Sequence, residues 1–152
     1  MSSTTLNPLN FTITINAHVE TVWHKMLDLE SYKIWTSVFE PGSFYEGSWD
    51  LGNEISFKSG RPGGLAGTIT KNEHLKIIEI SYKGMFNDEG LIEDSTKEAK
   101  AMKGLVERYT FTTITENQTQ LDVYTESLES FSVFMSEQWP IALEKLKEIC
   151  EQ

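Results

Sequence analysis

The chain has 152 residues, 39% of them hydrophobic and including four Trp, five Tyr and eight Phe, which is enough for one packed domain and argues against disorder. Thirteen Lys and Arg against 23 Asp and Glu leave a formal charge of −10, so phosphate backbones and anionic bilayers are disfavoured as partners. The one cysteine, Cys150, excludes an intramolecular disulfide.

The first nine residues carry neither a positive charge nor an apolar run, and are expected to form a flexible N-terminus without a secretory leader. Phe11, Ile13 and Ile15 then alternate with Thr12, Thr14 and Asn16, which predicts a half-buried strand. Asn16-Ala17-His18-Val19-Glu20 reads as a helix start, with Val22, Trp23, Met26 and Leu27 at helical spacing behind it. A second short helix is predicted over Leu29 to Trp35, with Tyr32 and Trp35 three apart.

From Gly42 to Tyr82 the pattern changes to strand and turn. Predicted strands cover Phe44 to Trp49, Ile55 and Phe57, Leu65 to Thr70, and Leu75 to Tyr82, with Ser59 to Gly64 as a turn cluster. The alternation slips between Ile77 and Ile78, which predicts a bulge or a strand buried on both faces. Residues 84–104 read as a charged, lid-like connection with one or two helical turns, opened by the capping box Ser95-Thr96-Lys97-Glu98 and closed at Gly104. Two more strands follow, Val106 to Ile114 and Leu121 to Thr125, joined by a hairpin-sized link.

The chain closes on an amphipathic helix in which Trp139, Ala142, Leu143, Leu146, Ile149 and Cys150 form one apolar stripe. Pro140 lacks a donor and clashes with the carbonyl four residues back, so the helix is expected to start near Glu137, with Phe131 to Met135 kinked away or separate. No window is long and apolar enough to span a bilayer, and the expected location is the cytoplasm. Residues 1–152 are read as a single domain.

Metal and nucleophile chemistry find little support. His18, His24 and His74 have no ligand spacing among them, the Gly60 to Gly67 stretch lacks the Gly-Lys-Ser/Thr of a phosphate loop, and no Gly-x-Ser-x-Gly elbow occurs. No metal or other cofactor is expected. Glu107 is the one catalytic candidate: by alternation it shares a face with Tyr109 and Phe111, and a carboxylate in an apolar interior is a potential acid or base. Its place at a strand start leaves open that it simply reaches water. Trp35, Phe57, Tyr82, Tyr109, Phe111, Trp139 and Leu143 are the candidate ligand-binding residues, as lining of a space between sheet and helix. The same rings would also serve merely to fill that space, and the sequence leaves both readings open.

The order β-α-α-β-β-β-β-β-β-α resembles the helix-grip fold of the START/Bet v 1-like superfamily, an α+β arrangement in which a curved antiparallel sheet wraps a long C-terminal helix. Within it the chain resembles the activator-of-Hsp90-ATPase-homologue group, also called SRPBCC. The resemblance is carried, over about residues 10–150, by Ala17-His18-Val19-Glu20-Thr21-Val22-Trp23, Asp28, Tyr32-x-x-Trp35, Gly42-Ser43, Glu46-Gly47, Gly52, Gly63-Gly64-x-x-Gly67-x-Ile69, Thr119-Gln120-Leu121 and Trp139-x-x-Ala142-Leu143-x-x-Leu146. Members often have Pro where His18 stands.

The resemblance implies a binding protein for a small hydrophobic or aromatic molecule. Two alternatives it also implies are a module that modulates an Hsp90-type chaperone ATPase and a cyclase-like acid/base enzyme, and catalysis is the less expected outcome.

Overall fold

The computed structural model describes residues 5–152. Strand β1 (Leu6–Ile15) leads into helices α1 (Val19–Leu27) and α2 (Leu29–Trp35) and a single 3-10 turn, Thr36–Val38. The middle of the chain supplies β2 (Phe44–Gly47), β3 (Glu54–Lys58), β4 (Leu65–Glu73), β5 (Ile77–Phe86), the two-residue β6 (Ile92–Glu93) and helix α3 (Lys97–Ala101). Strands β7 (Val106–Thr115) and β8 (Gln118–Leu128) and helix α4 (Glu129–Cys150) complete it. The strands pair antiparallel in the order β1-β8-β7-β5-β4-β3-β2, with β6 on β5. The α+β, helix-grip expectation holds: one curved antiparallel sheet carries α4 along its inner face.

The period-2 pattern decides which side chains turn inward. Ile78, Ile80 and Tyr82 on β5, Glu107, Tyr109 and Phe111 on β7, and Leu121, Val123 and Thr125 on β8 are all buried on one face. The α4 stripe of Trp139, Ala142, Leu143, Leu146 and Cys150 is buried against them. Helices α1 and α2 close one end. Three side-chain donors meet the carbonyls at the end of α1, which no intrahelical bond satisfies: Trp35 Nε1 reaches Met26 O (3.1 Å), and Tyr45 Oη and Trp49 Nε1 both reach Leu27 O (2.7 and 3.0 Å).

Four expectations are corrected. Strand β1 begins at Leu6 and pairs with β8 from Leu6↔Leu128 onward, so residues 6–9 are strand, not part of a flexible N-terminus; residues 1–4 of that expected segment lie outside the described residues. The expected start of α1 holds, with His18 as its cap, whose Nδ1 accepts from Glu20 N at 3.1 Å. No bulge falls between Ile77 and Ile78; the irregularities of the β4–β5 pair lie at Thr70 and Lys83. The α3 cap is Thr96, whose Oγ1 accepts from Ala99 N at 3.0 Å, while the Ser95 hydroxyl is turned to Glu93 and donates to it.

The fourth correction bears on the site. Helix α4 is continuous from Glu129 to Cys150 with Pro140 inside it, so Phe131 to Met135 are neither separate nor a second helix. Pro140 and Ser136, whose carbonyl loses its partner, both lie on the exposed side. Solvent can satisfy that carbonyl, which is why the helix survives the proline.

Cys150 is buried at the end of the stripe, and burial pushes its thiol up to about 12. It is expected to stay unreacted with an aromatic disulfide reagent at mildly alkaline pH in the folded protein and to react at once in denaturant. Immediate native-state labelling, followed by absorbance, would show that the end of α4 is not packed as described.

Candidate functional site

Between the inner face of the sheet and the first half of α4 lies a cavity of about 290 Å³. Its walls are mainly aromatic. Tyr32 and Trp35 come from α2, Phe57 from β3, Tyr82 from β5, Tyr109 from β7 and Trp139 from α4, and the β3–β4 loop that carries Arg61 and Gly64 forms part of the rim. The rings touch one another around the space: Trp35 to Trp139 at 5.9 Å, Tyr109 to Trp139 at 6.1 Å, Phe57 to Tyr82 at 6.1 Å and Tyr32 to Phe57 at 6.2 Å between centroids. Gly64 lets the loop approach this closely. Its φ is +121° and a Cβ there would stand 2.3 Å from the Phe57 carbonyl oxygen, so a side chain has no room.

A second lobe of about 220 Å³ adjoins the first, sharing Leu65, Tyr82, Glu107, Phe134 and Met135 with it. Its remaining lining mixes the apolar Met85, Met102, Leu105 and Phe131 with Thr125, Glu126 and Ser127 at the end of β8. Phe131 and Phe134, both about half exposed, border this lobe from α4. The continuity of α4 through Pro140 is what brings Phe134 and Met135 over the cavity.

Glu107 stands where the two lobes meet. It does not reach water: it is buried, because the chain ahead of β7 continues the sheet beyond the strand proper. Gly104 N donates to Tyr82 O (2.7 Å) and Tyr82 N to Leu105 O (2.8 Å), which lays the buried Leu105 beside β5 and covers the carboxylate. Sheet register supplies its partners. Thr125, directly opposite on β8, donates its hydroxyl to Glu107 Oε1 at 3.2 Å, and the Tyr109 hydroxyl donates to Oε2. The Tyr82 hydroxyl also faces the carboxyl and lowers its pKa in the same sense.

Burial raises the Glu107 carboxyl above its ordinary range, and the three hydroxyls offset only part of that rise. The tyrosines shift upward as well. Burial first, and then the nearby Glu107 charge, push the Tyr32, Tyr82 and Tyr109 hydroxyls up, so they hold their protons at neutral pH and serve as donors. The site is therefore a buried acceptor ringed by hydroxyl donors inside an aromatic shell.

Of the sequence-predicted lining, Trp35, Phe57, Tyr82, Tyr109 and Trp139 meet at the cavity. Phe111 and Leu143 do not line either lobe. Phe111 is buried against Trp23, with centroids 5.0 Å apart, and Leu143 lies in the packed stripe of α4. Sequence reasoning missed Tyr32, Thr125, Phe134 and Met135. Tyr32 was signalled by its helical spacing to Trp35, whereas the place of Thr125 opposite Glu107 depends on a strand register and Phe134 and Met135 were hidden by the break expected at Pro140.

No protein-family model matches the chain, and no curated protein matches its sequence. Solved structures do match in fold. Protein MLL2253 from Mesorhizobium loti superposes with a TM-score of 0.73 over 95% of this chain and 97% of that one, at 13% identity. The Aha1 dimer from Colwellia psychrerythraea gives 0.71 over 95% and 96%, at 19% identity. This chain has the helix-grip fold. A third helix-grip match, DynU16 from the dynemicin biosynthetic locus, gives 0.68 at 12% identity, with 95% of this chain on 47% of that one. At these identities the likeness extends to the grip itself, so the contents of the cavity have to be argued from this chain's own residues. Among the described residues, no helix of the grip is long and apolar enough to cross a membrane.

Proposed function

We propose that the protein binds a small, largely apolar molecule in the two-lobed cavity between the sheet and α4. The observation that carries this reading is a space of about 290 Å³, walled by aromatic side chains, that holds one buried carboxylate at its inner end. Ligand sites have this make-up: mostly hydrophobic walls with a few placed polar groups that fix orientation. Covering roughly 300 Å² of apolar ligand surface at about 25 cal/mol per Å² contributes ~7 kcal/mol before association costs, so micromolar affinity is the expected scale.

The cyclase-like alternative would draw on the same Glu107 and tyrosines. The raised tyrosine hydroxyls argue for orienting donors ahead of acid/base partners, and binding alone accounts for the arrangement. The chaperone-module alternative has less to draw on here, since the half-exposed Phe131 and Phe134 of α4 are the border of the second lobe.

Native mass spectrometry of protein purified without detergent from its own host tests the reading. The expected spectrum shows an added mass on the folded protein that is lost on denaturation. A clean protein mass, together with no rise in melting temperature across a broad panel of apolar compounds, would refute it.

A further inference from the structure

We propose that the ligand carries a basic amine, which sits between an aromatic end in the first lobe and an aliphatic end in the second and pairs with Glu107. The inference rests on the binding reading above and adds the chemical class.

Four observations converge on it. First, Glu107 is a buried carboxylate whose hydrogen-bond partners are neutral, the hydroxyls of Tyr109 and Thr125, with the Tyr82 hydroxyl beside them. Buried carboxylates are ordinarily paired with a cation, and among the described residues no cation performs that role at this position. Lys58 and Arg61 reach the rim of the first lobe, but each is engaged by a carboxylate there, Glu46 at 2.7 Å and Glu40 at 2.5 Å. These three hydroxyls also leave acceptor capacity on the two oxygens for one further donor.

Second, the groups nearest Glu107 suit a cation. The rings of Tyr82, Tyr109 and Trp139 line the first lobe together with Glu107, and aromatic rings attract ammonium groups. Third, the second lobe is richer in methionine than the first, Glu107 is on the wall of both, and the other carboxylate of the second lobe, Glu126, already accepts from Val106 N and the Tyr124 hydroxyl. A molecule occupying both lobes passes its middle, not its end, by the carboxylate. Fourth, the chain's net charge of −10 draws cations toward the protein and repels carboxylates. A fatty acid or aryl acid would place its charge against Glu107; an amine satisfies it.

The test uses three probes with one hydrocarbon frame and the polar group at mid-chain, 1-phenyloctan-4-amine, 1-phenyloctan-4-ol and 2-(3-phenylpropyl)hexanoate, titrated calorimetrically into the full chain and into Glu107→Gln. With the wild type the amine is expected to bind at least about tenfold more tightly than the alcohol, as charge-assisted hydrogen bonds exceed neutral ones, and the acid more weakly than either. In Glu107→Gln the amine preference is expected to shrink to about twofold or less, while alcohol binding persists. Circular dichroism establishes that the variant is folded, and the amine-to-alcohol ratio of the wild type decides the question even if it is not. Should the alcohol bind and the amine bind no better, the amine inference is overturned and the binding reading stands. Should no probe bind at millimolar concentration, the binding reading fails and takes the amine with it. An amine preference undiminished in a folded Glu107→Gln variant would place the cation elsewhere and also overturn the inference.

Discussion

Glu107→Gln is expected to raise the melting temperature of the unliganded protein at neutral pH. The carboxyl is raised above the ordinary glutamate value of 4.5 because burial outweighs the three hydroxyls around it. The folded state then holds this proton more tightly than the unfolded chain does. Stability must therefore fall as pH rises from about 4.5 through the folded-state value, and level off above it. Gln keeps the shape, offers an oxygen to Tyr109 and Thr125, and has no charge to desolvate. A gain of ~1–2 kcal/mol, or roughly 2–8 °C for a domain of this size, is expected near pH 7.

The gap should close near pH 4, where the wild-type side chain is itself neutral. Comparing the two proteins isolates the residue: Glu54, Glu93 and Glu151 are lowered by their own bonds and act with the opposite sign, but they are common to both. Melting curves of both proteins from pH 4 to pH 8 measure this directly. A variant that is less stable than wild type at pH 7, with the deficit shrinking toward pH 4, would show that the hydroxyl bonds outweigh burial. Stability gained by neutralising a buried group that a ligand needs is the expected signature of a binding residue.

The scaffold was legible from the sequence wherever a period was clean. The alternation of Phe11, Ile13 and Ile15, the turn cluster at Ser59 to Gly64, and the stripe from Trp139 to Cys150 each mapped onto the element they predicted, because one face of each is buried and the other is not. Where local chemistry competed with tertiary contact the reading slipped. A proline rule that holds for a buried helix placed a break in α4, yet the carbonyl that Pro140 orphans lies on the exposed side. Ser95 matched a capping box, but its hydroxyl turned to Glu93 and Thr96 took the cap.

The candidate site was legible only in part for a related reason. Alternation along β7 put Glu107 and Tyr109 on the inner face, which is local information. That Glu107 is covered depends on Leu105 pairing with Tyr82, and that it is hydrogen-bonded depends on the register Glu107↔Thr125. Both are contacts between distant parts of the chain, and a single sequence carries no direct trace of them. Phe111 shows the converse. It has the right face and the right chemistry, but Trp23 of α1 occupies the space in front of it.

Trp139→Ala is expected to be the most damaging single change in the cavity wall. Trp139 is 2% exposed and its ring meets those of Phe39 (4.9 Å), Trp35 (5.9 Å), Phe11 (6.0 Å) and Tyr109 (6.1 Å), so it ties α4 to β1, to α2 and the turn after it, and to β7. Removing an indole from such a place costs ~3–5 kcal/mol, a large share of the ~5–15 kcal/mol that holds a domain together. Trp139→Phe separates packing from polarity. The indole N–H is buried without a hydrogen-bond partner, and an unpaired buried donor is itself destabilising. Phenylalanine gives up some contact area but also removes that donor, so its cost is expected to be about 1 kcal/mol. Urea unfolding followed by fluorescence of the remaining tryptophans measures both, as a shift in midpoint at unchanged slope. If Phe proves as costly as Ala, the indole nitrogen makes a bond that stabilises the fold, and the first lobe would then have to be read as polar on the α4 side as well as at Glu107.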